Sequence, residues 1–303
     1  MLRVTTRSLQ IAAISTGLRI FGGPRFRRGD FMSLHTVSDR SHACTARAFP
    51  LPAVGDDEHV PLVTGERVRY ANLDNGASTS CLTGVRDIVD AVLPWYSSVH
   101  RGAGFRSAVS TSLYAAAREQ IKQSLGARDD DELIFTRNTT DGLNLLARSL
   151  PADATVLVFA SEHHANLLPW RSCFVKQLPV PASPHEAVLA VEAALQQTSG
   201  ATLVAVAGAS NVTGEVFPLA DLAALAHRYG ARIVVDAAQL APHRPIDIAA
   251  SDFDYVVLSG HKVYAPFGAG CLVGRSDWLN AADPYLRGGG AVRTVTTDDV
   301  EWA

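Results

Sequence analysis

Apolar runs and amphipathic segments alternate along the chain from about residue 70 onward. Short apolar runs bounded by turn residues predict buried strands, whereas apolar residues that recur every three or four positions predict helices. The predicted strands are ELIFT, TVLVFAS, ATLVAVAGAS, ARIVVDAAQ, DYVVLSG and GCLVGR. Their alternation with helices is typical of an α/β fold, in which helices cover both faces of a mostly parallel sheet.

The predicted helices lie between these strands and ahead of the first one. They are TGVRDIVDAVLPWY, SAVSTSLYAAAREQIKQSLG, NTTDGLNLLARSL, SPHEAVLAVEAALQQ and LADLAALAHRYG. We expect the first to begin behind a Thr83 cap and to present Ile88 and its valines on one face. In the fourth, Ser183 and Glu186 form a capping box, with Pro184 at the first helical position.

Polar clusters follow five of the predicted strands. They occupy residues 138–140, 162–164, 210–211, 236–239 and 259–262. In an open α/β sheet, ligands bind beyond the carboxyl ends of the strands. The pattern therefore predicts a single site at that edge of the sheet.

Composition narrows the class of protein. The 303 residues are 47% hydrophobic with a net charge of −3, which allows a sizeable core but gives no basic field for nucleic-acid binding. No apolar run approaches the roughly 20 residues of a membrane helix. The cysteines, which show no metal or redox spacing, are Cys44, Cys81, Cys173 and Cys271. We expect a cytoplasmic protein with reduced cysteines and with no nucleic-acid or membrane partner.

The N-terminal segment differs from the rest of the chain. Its first 50 residues contain eight arginines, no lysine and only two acidic residues, without sustained periodicity. This composition fits a transit peptide, and SLQIAAISTGL weakly resembles a secretory signal, but a disordered extension is the simpler interpretation. We assign residues 1–55 to an atypical N-terminal extension and begin the folded domain at residue 56.

Lysine is rare in this chain, and its position is informative. Only three of the 27 basic residues are lysine, and Lys262 directly follows a predicted buried strand. A lysine amine can form a Schiff base with a carbonyl cofactor, which arginine cannot do in the same way. Pyridoxal phosphate requires such a lysine together with an acid, a flat neighbour and a phosphate cradle. Asp236 would face the pyridine nitrogen, Gln239 the phenolate oxygen and His163 the ring face.

The phosphate would lie at the start of a helix. Thr139 and Thr140 offer hydroxyl and backbone N–H groups there, aided by the helix dipole. Ser259 and His261, which flank the lysine, would complete the cradle. Each residue alone has a simpler interpretation as a helix cap, a turn residue or a structural histidine, and Asn211 is equally a turn former or a ligand.

Other chemistries fit less well. The segment EHHAN could ligate a metal, but adjacent residues on an extended segment point to opposite sides, and we expect no metal site. The loop GASNVTGEV lacks the glycine spacing of a dinucleotide-binding motif. The chain also contains no P-loop motif and no nucleophile elbow of the α/β-hydrolases.

Several segments, in order, resemble the class V aminotransferase family of fold-type I pyridoxal-phosphate enzymes, and especially its cysteine desulfurase branch. They are NLDNGAST, HRGAGFRS, FTRNTTDGLNLLA, SEHHANLLPW, SNVTGEVFPL, VVDAAQ, LSGHKVYAPFGAG and RGGGAV. The resemblance covers nearly everything from residue 70 to the end, and it implies the large domain of that fold.

The resemblance implies roles for individual positions, with Lys262 and His163 catalytic. The implied cofactor contacts are Lys262 (Schiff base), Asp236 and Gln239 (ring), His163 (ring face), Asn211 (ring oxygen and substrate), and Thr140, Ser259 and His261 (phosphate). Family members are typically homodimers, and residues 100–107 resemble a segment near the mouth of the site.

The sequence departs from the family pattern in three places. Gly76 replaces the usual alanine, and Ala265 replaces the usual glycine. The third departure is at the end, because family chains continue into a small domain that carries the arginine for the substrate carboxylate and, in desulfurases, a sulfur-accepting cysteine. None of the four cysteines matches that position, and Cys271 lies in a predicted strand. We therefore describe residues 56–303 as a C-terminally truncated class V domain.

The expected function is that of a pyridoxal-phosphate enzyme acting on a small amino acid, most like a cysteine desulfurase or a class V aminotransferase. Two alternatives stay open. The chain could be a truncated, non-catalytic protein that binds the cofactor or a partner chain. It could also be an epimerase or transaminase of the same fold, which differs in substrate only.

Overall fold

The structure, a computed structural model, describes residues 51–100 and 102–302. The expected N-terminal extension therefore lies almost wholly outside the described residues. Val54 N–H donates to the Cys81 carbonyl (2.8 Å) and Thr83 N–H to the Pro52 carbonyl (3.0 Å). Contacts with the domain thus begin a few residues before the expected boundary at residue 56.

Seven strands form the central sheet, in the order β3-β9-β8-β7-β6-β4-β5. The strands of the chain are β1 (His59–Pro61), β2 (Arg67–Arg69), β3 (Asp131–Thr136), β4 (Thr155–Phe159), β5 (Phe174–Leu178), β6 (Thr202–Ala207), β7 (Arg232–Asp236), β8 (Tyr255–Ser259), β9 (Gly270–Arg275), β10 (Val292–Val295) and β11 (Val300–Trp302). Within the central sheet β9 is antiparallel to both neighbours, and the remaining pairings are parallel. The prediction of a mostly parallel sheet is confirmed.

All six predicted strands are present, and β5 is a seventh that the pattern did not predict. It lies at the edge of the sheet and pairs only with β4. Phe174 is 67% exposed there, and Lys176 lies at its centre. An exposed edge strand needs no continuous apolar run, so it lacks the signal by which the buried strands were recognised.

The helices are α1 (Thr83–Val92), α2 (Phe105–Ser124), α3 (Thr139–Ser149), α4 (His164–Leu167), α5 (Pro184–Leu195), α6 (Leu219–Arg228) and α7 (Ser276–Ala281). The prediction of a Thr83 cap is wrong, because Leu82 is the N-cap and Thr83 is already helical. Ser183 does cap α5, accepting a hydrogen bond from Glu186 N–H (3.2 Å). The Glu186 carboxylate accepts from Ala182 N–H (3.0 Å), one residue before the cap.

The core is divided by the sheet into two layers. On β6, Val204 and Val206 pack on one face together with α5 and α6, whereas Leu203 and Ala205 pack on the other face with α3 and the buried Trp170. Successive side chains of a strand point to opposite faces, so a fully apolar strand needs cover on both sides. Helices on both faces are therefore confirmed.

The N-terminal part differs, because α1 contains no buried residue despite its predicted apolar face. Ile88 on that face is about half exposed. Within the two described ranges, no helix has the length and apolar character needed to cross a bilayer.

Candidate active site

A cavity of about 540 Å³ lies at the carboxyl ends of β4, β6, β7 and β8. All nine residues singled out from the sequence line it: Thr139, Thr140, His163, Asn211, Asp236, Gln239, Ser259, His261 and Lys262. They are contributed by segments up to 123 positions apart, from Thr139 to Lys262. The structure thus brings together the polar clusters that follow the separate strands.

Lys262 ends a short 3-10 turn, Gly260–Lys262, that directly follows β8. The other two lysines are engaged elsewhere: Lys122 Nζ donates to the Asp129 carbonyl (3.2 Å), and Lys176 Nζ donates to Gln197 Oε1 (2.9 Å). Across residues 51–100 and 102–302, no side chain or carbonyl accepts a hydrogen bond from Lys262, and no carboxylate pairs with it. Its amine lines the cavity without a partner.

The lysine turn is held from outside the sheet by Thr79. The backbone N–H of Thr79 donates to the His261 carbonyl (2.9 Å), and its hydroxyl donates to the same oxygen (3.1 Å). The Thr79 hydroxyl in turn accepts from Tyr264 N–H (2.9 Å). These bonds fix the backbone on both sides of Lys262, so the direction of its side chain is constrained.

Asp236 ends β7 and is 5% exposed. Burial raises the pKa of its carboxyl, while a hydrogen bond from Ala238 N–H (3.0 Å) and the positive charges of His163 and Lys262 lower it. Among the described residues, no cationic side chain makes an ion pair with it. A buried carboxylate without a cation is favourable only if a ligand supplies the missing charge.

His163 follows β4 and is the N-cap of α4. Its Nδ1 accepts a hydrogen bond from Ala165 N–H (3.1 Å). When the ring is neutral, its proton is therefore on Nε2. His164 begins α4 beside it and does not line the cavity.

The start of α3 forms another wall. Thr139 N–H donates to Ser259 Oγ (2.8 Å), so the Ser259 hydroxyl is already engaged with the helix. Asp141 N–H donates to the capping Asn138 side chain (2.9 Å). Thr140 lies between them, and neither its N–H nor its hydroxyl donates to any acceptor in the described part of the chain. Free donors at a helix N-terminus favour an anion.

His261 completes this wall. Its Nδ1 lies 3.3 Å from Ser78 Oγ. Burial, followed by the positive charge of Lys262, lowers the pKa of His261 below 6.5. The ring is therefore neutral at pH 7 and offers a hydrogen bond rather than a charge.

Gln239 and Asn211 differ in how firmly they are held. Gln239 Nε2 donates to the Gly76 carbonyl (2.7 Å), which leaves one N–H of the amide for a ligand. Asn211 is exposed on the loop after β6, and its side chain has no hydrogen-bond partner within the described ranges.

Sequence reasoning missed part of the site. Asp74, Gly76 and Ala77 line the cavity, although only the motif NLDNGAST pointed to this segment. Glu162 was also missed: it is 6% exposed and accepts hydrogen bonds beside the cavity, and burial raises its pKa to about 7. Its position inside EHHAN was the available signal.

The donors and acceptors around the cavity suit a phosphorylated, aldehyde-bearing pyridine ring. An unpaired amine suits the aldehyde, a buried acid without a cation suits the ring nitrogen, and free donors at a helix start suit the phosphate. The remaining wall is made of small side chains that leave room for a flat ring: Ala165, Ala207, Ala209 and Ala238. The residues present fit pyridoxal phosphate.

Comparison with known families agrees with this geometry. Residues 71–303 match the family described as Aminotransferase class-V. The chain belongs to this family. It is 38% identical over 217 residues to a cysteine desulfurase of Klebsiella pneumoniae, covering 68% of this chain and 53% of the relative. It is 36% identical over 252 residues to a probable cysteine desulfurase of Vibrio cholerae, covering 78% and 61%.

Solved structures show the same fold in this class V chain. The cysteine desulfurase CsdA of Escherichia coli superimposes with a TM-score of 0.63 at 33% identity, over 76% of this chain and 60% of that one. The apo cysteine desulfurase of Thermococcus onnurineus gives a TM-score of 0.67 at 29% identity, with the same coverage. The chain is thus cysteine desulfurase-like, and it spans about half to three fifths of the length of these proteins.

Proposed function

We propose that this chain carries the cofactor-binding centre of a pyridoxal-phosphate enzyme that acts on a small amino acid, with cysteine as the favoured substrate. One observation carries the proposal: the partnerless amine of Lys262 and the cation-free carboxyl of Asp236 line the same cavity. The cysteine desulfurase relatives support the choice of substrate.

The nine residues divide by the part of the cofactor that each would hold. Lys262 would bond the aldehyde carbon, Asp236 would keep the ring nitrogen protonated, and His163 would cover one face of the ring. The phosphate would be held by Thr139, Thr140, Ser259 and His261, and the ring oxygen by Gln239 and Asn211. When bound, pyridoxal phosphate supplies a ring that accepts the electrons left on a carbon when one of its bonds breaks.

Lys262 and His163 would also move protons. Once a substrate amine has displaced it from the aldehyde, the Lys262 amine can accept a proton from the α carbon of the substrate. His163 carries its proton on Nε2 when neutral, because Nδ1 is occupied by Ala165 N–H. It can therefore donate that proton to a group bound in the cavity.

Finer points belong to the same proposal. We infer a homodimer from the resemblance of residues 100–107 to a segment near the mouth of the family's site. We likewise propose that residues 56–303 form the class V domain. A cytoplasmic location stays a prediction from the absence of metal or redox spacing among the cysteines.

The test begins with the cofactor. We expect the purified chain mixed with pyridoxal phosphate to show visible absorbance, and borohydride reduction followed by peptide mass spectrometry to locate the label on Lys262. Lys262→Ala should abolish the labelling, whereas Lys176→Ala, at the sheet edge, should keep it. Equal labelling of wild type and Lys262→Ala would contradict the proposal.

Turnover is a separate measurement. Adding cysteine to the loaded protein and assaying sulfide and alanine tests the desulfurase reaction. A chain that is labelled at Lys262 but releases neither product would support the non-catalytic alternative. Another amino acid yielding product in place of cysteine would support the transaminase or epimerase alternative.

A further inference from the structure

Glu162 is a buried carboxyl to which the reaction outlined above assigns no task. It follows β4 and is 6% exposed. Its Oε1 accepts a hydrogen bond from Ala207 N–H (2.9 Å), and its Oε2 accepts one from Asn166 Nδ2 (2.8 Å). Within the described ranges, no lysine, arginine or histidine forms an ion pair with it.

The two partners connect Glu162 to the catalytic side chains. Ala207 ends β6 and pairs in register with Asp236 on β7. Asn166 lies fully buried in α4, the helix that begins directly after His163. Glu162 therefore ties the segment that carries His163 to the strand end beside Asp236.

We propose that Glu162 is a positioning residue: bonded to Ala207 and Asn166, it holds His163 against the cavity wall and carries the proton of the two buried carboxyls while Asp236 is ionised. The part that concerns His163 and Asp236 as cofactor ligands rests on the proposed function. The location of the proton does not.

The charges around the pair favour this division. Burial raises the pKa of Glu162 to about 7, and the negative charge of Asp236 raises it further against its two hydrogen bonds. Asp236 also has a pKa raised by burial, but the positive charges of His163 and Lys262 lower it. Two nearby carboxyls with little compensating charge do not both ionise easily, and the available cations act on Asp236.

Asn166 can serve either protonation state. Its Oδ1 is buried and has no hydrogen-bond partner in the described part of the chain. As drawn, Nδ2 donates to an ionised Glu162. If the amide turns by half a rotation, Oδ1 takes the place of Nδ2 and accepts from the O–H of a protonated Glu162. The backbone of α4, and with it the bond from Ala165 N–H to His163, stays in place.

The location of the proton can be read without cofactor. We expect infrared spectra of the apo protein to show a neutral carboxylic acid below the pKa of about 7 that disappears above it. Glu162→Gln should remove that signal and Asp236→Asn should keep it. Absence of the signal in wild type, or its persistence in Glu162→Gln, would overturn this half of the proposal whether or not the chain binds pyridoxal phosphate.

Positioning needs a second readout. In nitrogen NMR of the apo protein, His163 should show an unprotonated Nδ1 in wild type and in Glu162→Gln, whose amide can replace both hydrogen bonds. Glu162→Ala should lose that signature. If Glu162→Ala does not fold, Asn166→Ala, which removes only one of the bonds, takes its place. Unchanged His163 signals in every folded variant would refute a positioning role.

The loaded protein gives the last comparison. The visible spectrum of bound pyridoxal phosphate should change with pH near the Glu162 pKa in wild type and be flat there in Glu162→Gln. Glu186→Gln is the matched control, because Glu186 also accepts a backbone N–H but lies exposed on α5. A wild-type pH profile in Glu162→Gln would contradict the coupling to the cofactor, whereas failure to bind cofactor at all would count against the proposed function alone.

Discussion

The two edges of the central sheet treat buried carboxylates in opposite ways. The cavity edge, at the carboxyl ends of β6 and β7, holds Asp236 and Glu162 without an ion pair. The opposite edge, which we call the ion-paired edge, consists of Arg128, His227, Asp252, Asp254 and Arg275. Both edges belong to the same strands, so the contrast isolates the effect of pairing.

Asp254 at the ion-paired edge is almost completely buried and fully engaged. Its Oδ2 accepts from His227 Nε2 (2.8 Å) and from Ile233 N–H (2.9 Å), and its Oδ1 accepts from Arg275 Nε. His227 Nδ1 lies 2.9 Å from Asp252 Oδ2. Both ring nitrogens thus face carboxylates, which a doubly protonated ring satisfies.

Asp236 has only one hydrogen bond from the protein, from Ala238 N–H. The difference teaches where a ligand is expected. A buried carboxylate that is completely paired stabilises the fold, whereas one left without a cation keeps a raised pKa and a place for an incoming positive charge. The fold itself is complete at one edge and waits for a partner at the other.

The largest expected effect is at the ion-paired edge. Asp254→Asn should lower the free energy of unfolding by about 3–5 kcal/mol, because His227 and Arg275 would be left without their buried counter-charge. Denaturant unfolding of the apo protein measures it. Asp277→Asn is the control: its pair with Arg232 is about half exposed at Asp277 and should contribute about 1 kcal/mol or less. Equal losses in the two variants would remove the distinction between the edges.

The same substitution at the cavity edge should act differently. Asp236→Asn should leave the apo stability unchanged or raise it, because it removes a buried charge, but it should weaken cofactor binding by about 2–5 kcal/mol, roughly 30-fold or more. Apo unfolding and cofactor titration measure the two effects. A large loss of apo stability in Asp236→Asn would show that this carboxylate is structural too.

The pH dependence has a definite sign. The folded pKa of Asp236 is raised above its model value of 3.8, so the penalty of burying its charge is absent in acid and appears as pH rises above that value. Wild-type apo stability should therefore fall relative to Asp236→Asn as pH rises towards neutrality. The opposite slope would contradict the raised pKa.

Smaller effects test the backbone at each end of β9. A Cβ at Gly274, on the ion-paired edge, would lie 2.1 Å from the Asp254 carbonyl, and one at Gly270, on the cavity edge, 2.7 Å from the Leu258 carbonyl. We expect each alanine variant to cost about 1–3 kcal/mol in unfolding measurements, with Gly274→Ala the more damaging.

Gly76→Ala is the matched control for these two glycines. A Cβ there would be no nearer than 4.0 Å to Gln239 Nε2. We expect a change within about 0.5 kcal/mol. A loss as large as that of Gly270→Ala would mean that the segment over the cavity is packed more tightly than its contacts indicate.

The sequence predicted the buried part of the fold well, because β6 and β7 are apolar throughout and bracket their positions clearly. It predicted β5 poorly, since an edge strand with Phe174 exposed has no such run. The Thr83 cap failed because a threonine near a helix start can be the first helical residue as well as the cap.

The candidate site was predictable where residues follow strand ends, as Asp236 and Lys262 do. It was not predictable where long-range contacts decide. Thr79 lies 183 positions before Lys262, and only the bonds to the His261 carbonyl and from Tyr264 N–H show that it holds the lysine turn. Glu162 was within a noted motif, but its burial depends on β6 and α4 packing around it.

The sequence by itself determined the alternation of strands and helices, and with it the edge where polar residues gather, because periodicity and the direction of parallel strands are local properties. The tertiary structure decided which of those residues carry uncompensated charge. Burial and ion pairing depend on neighbours brought from distant parts of the chain, so Asp254 and Asp236 look alike in the sequence and differ only once the sheet is assembled.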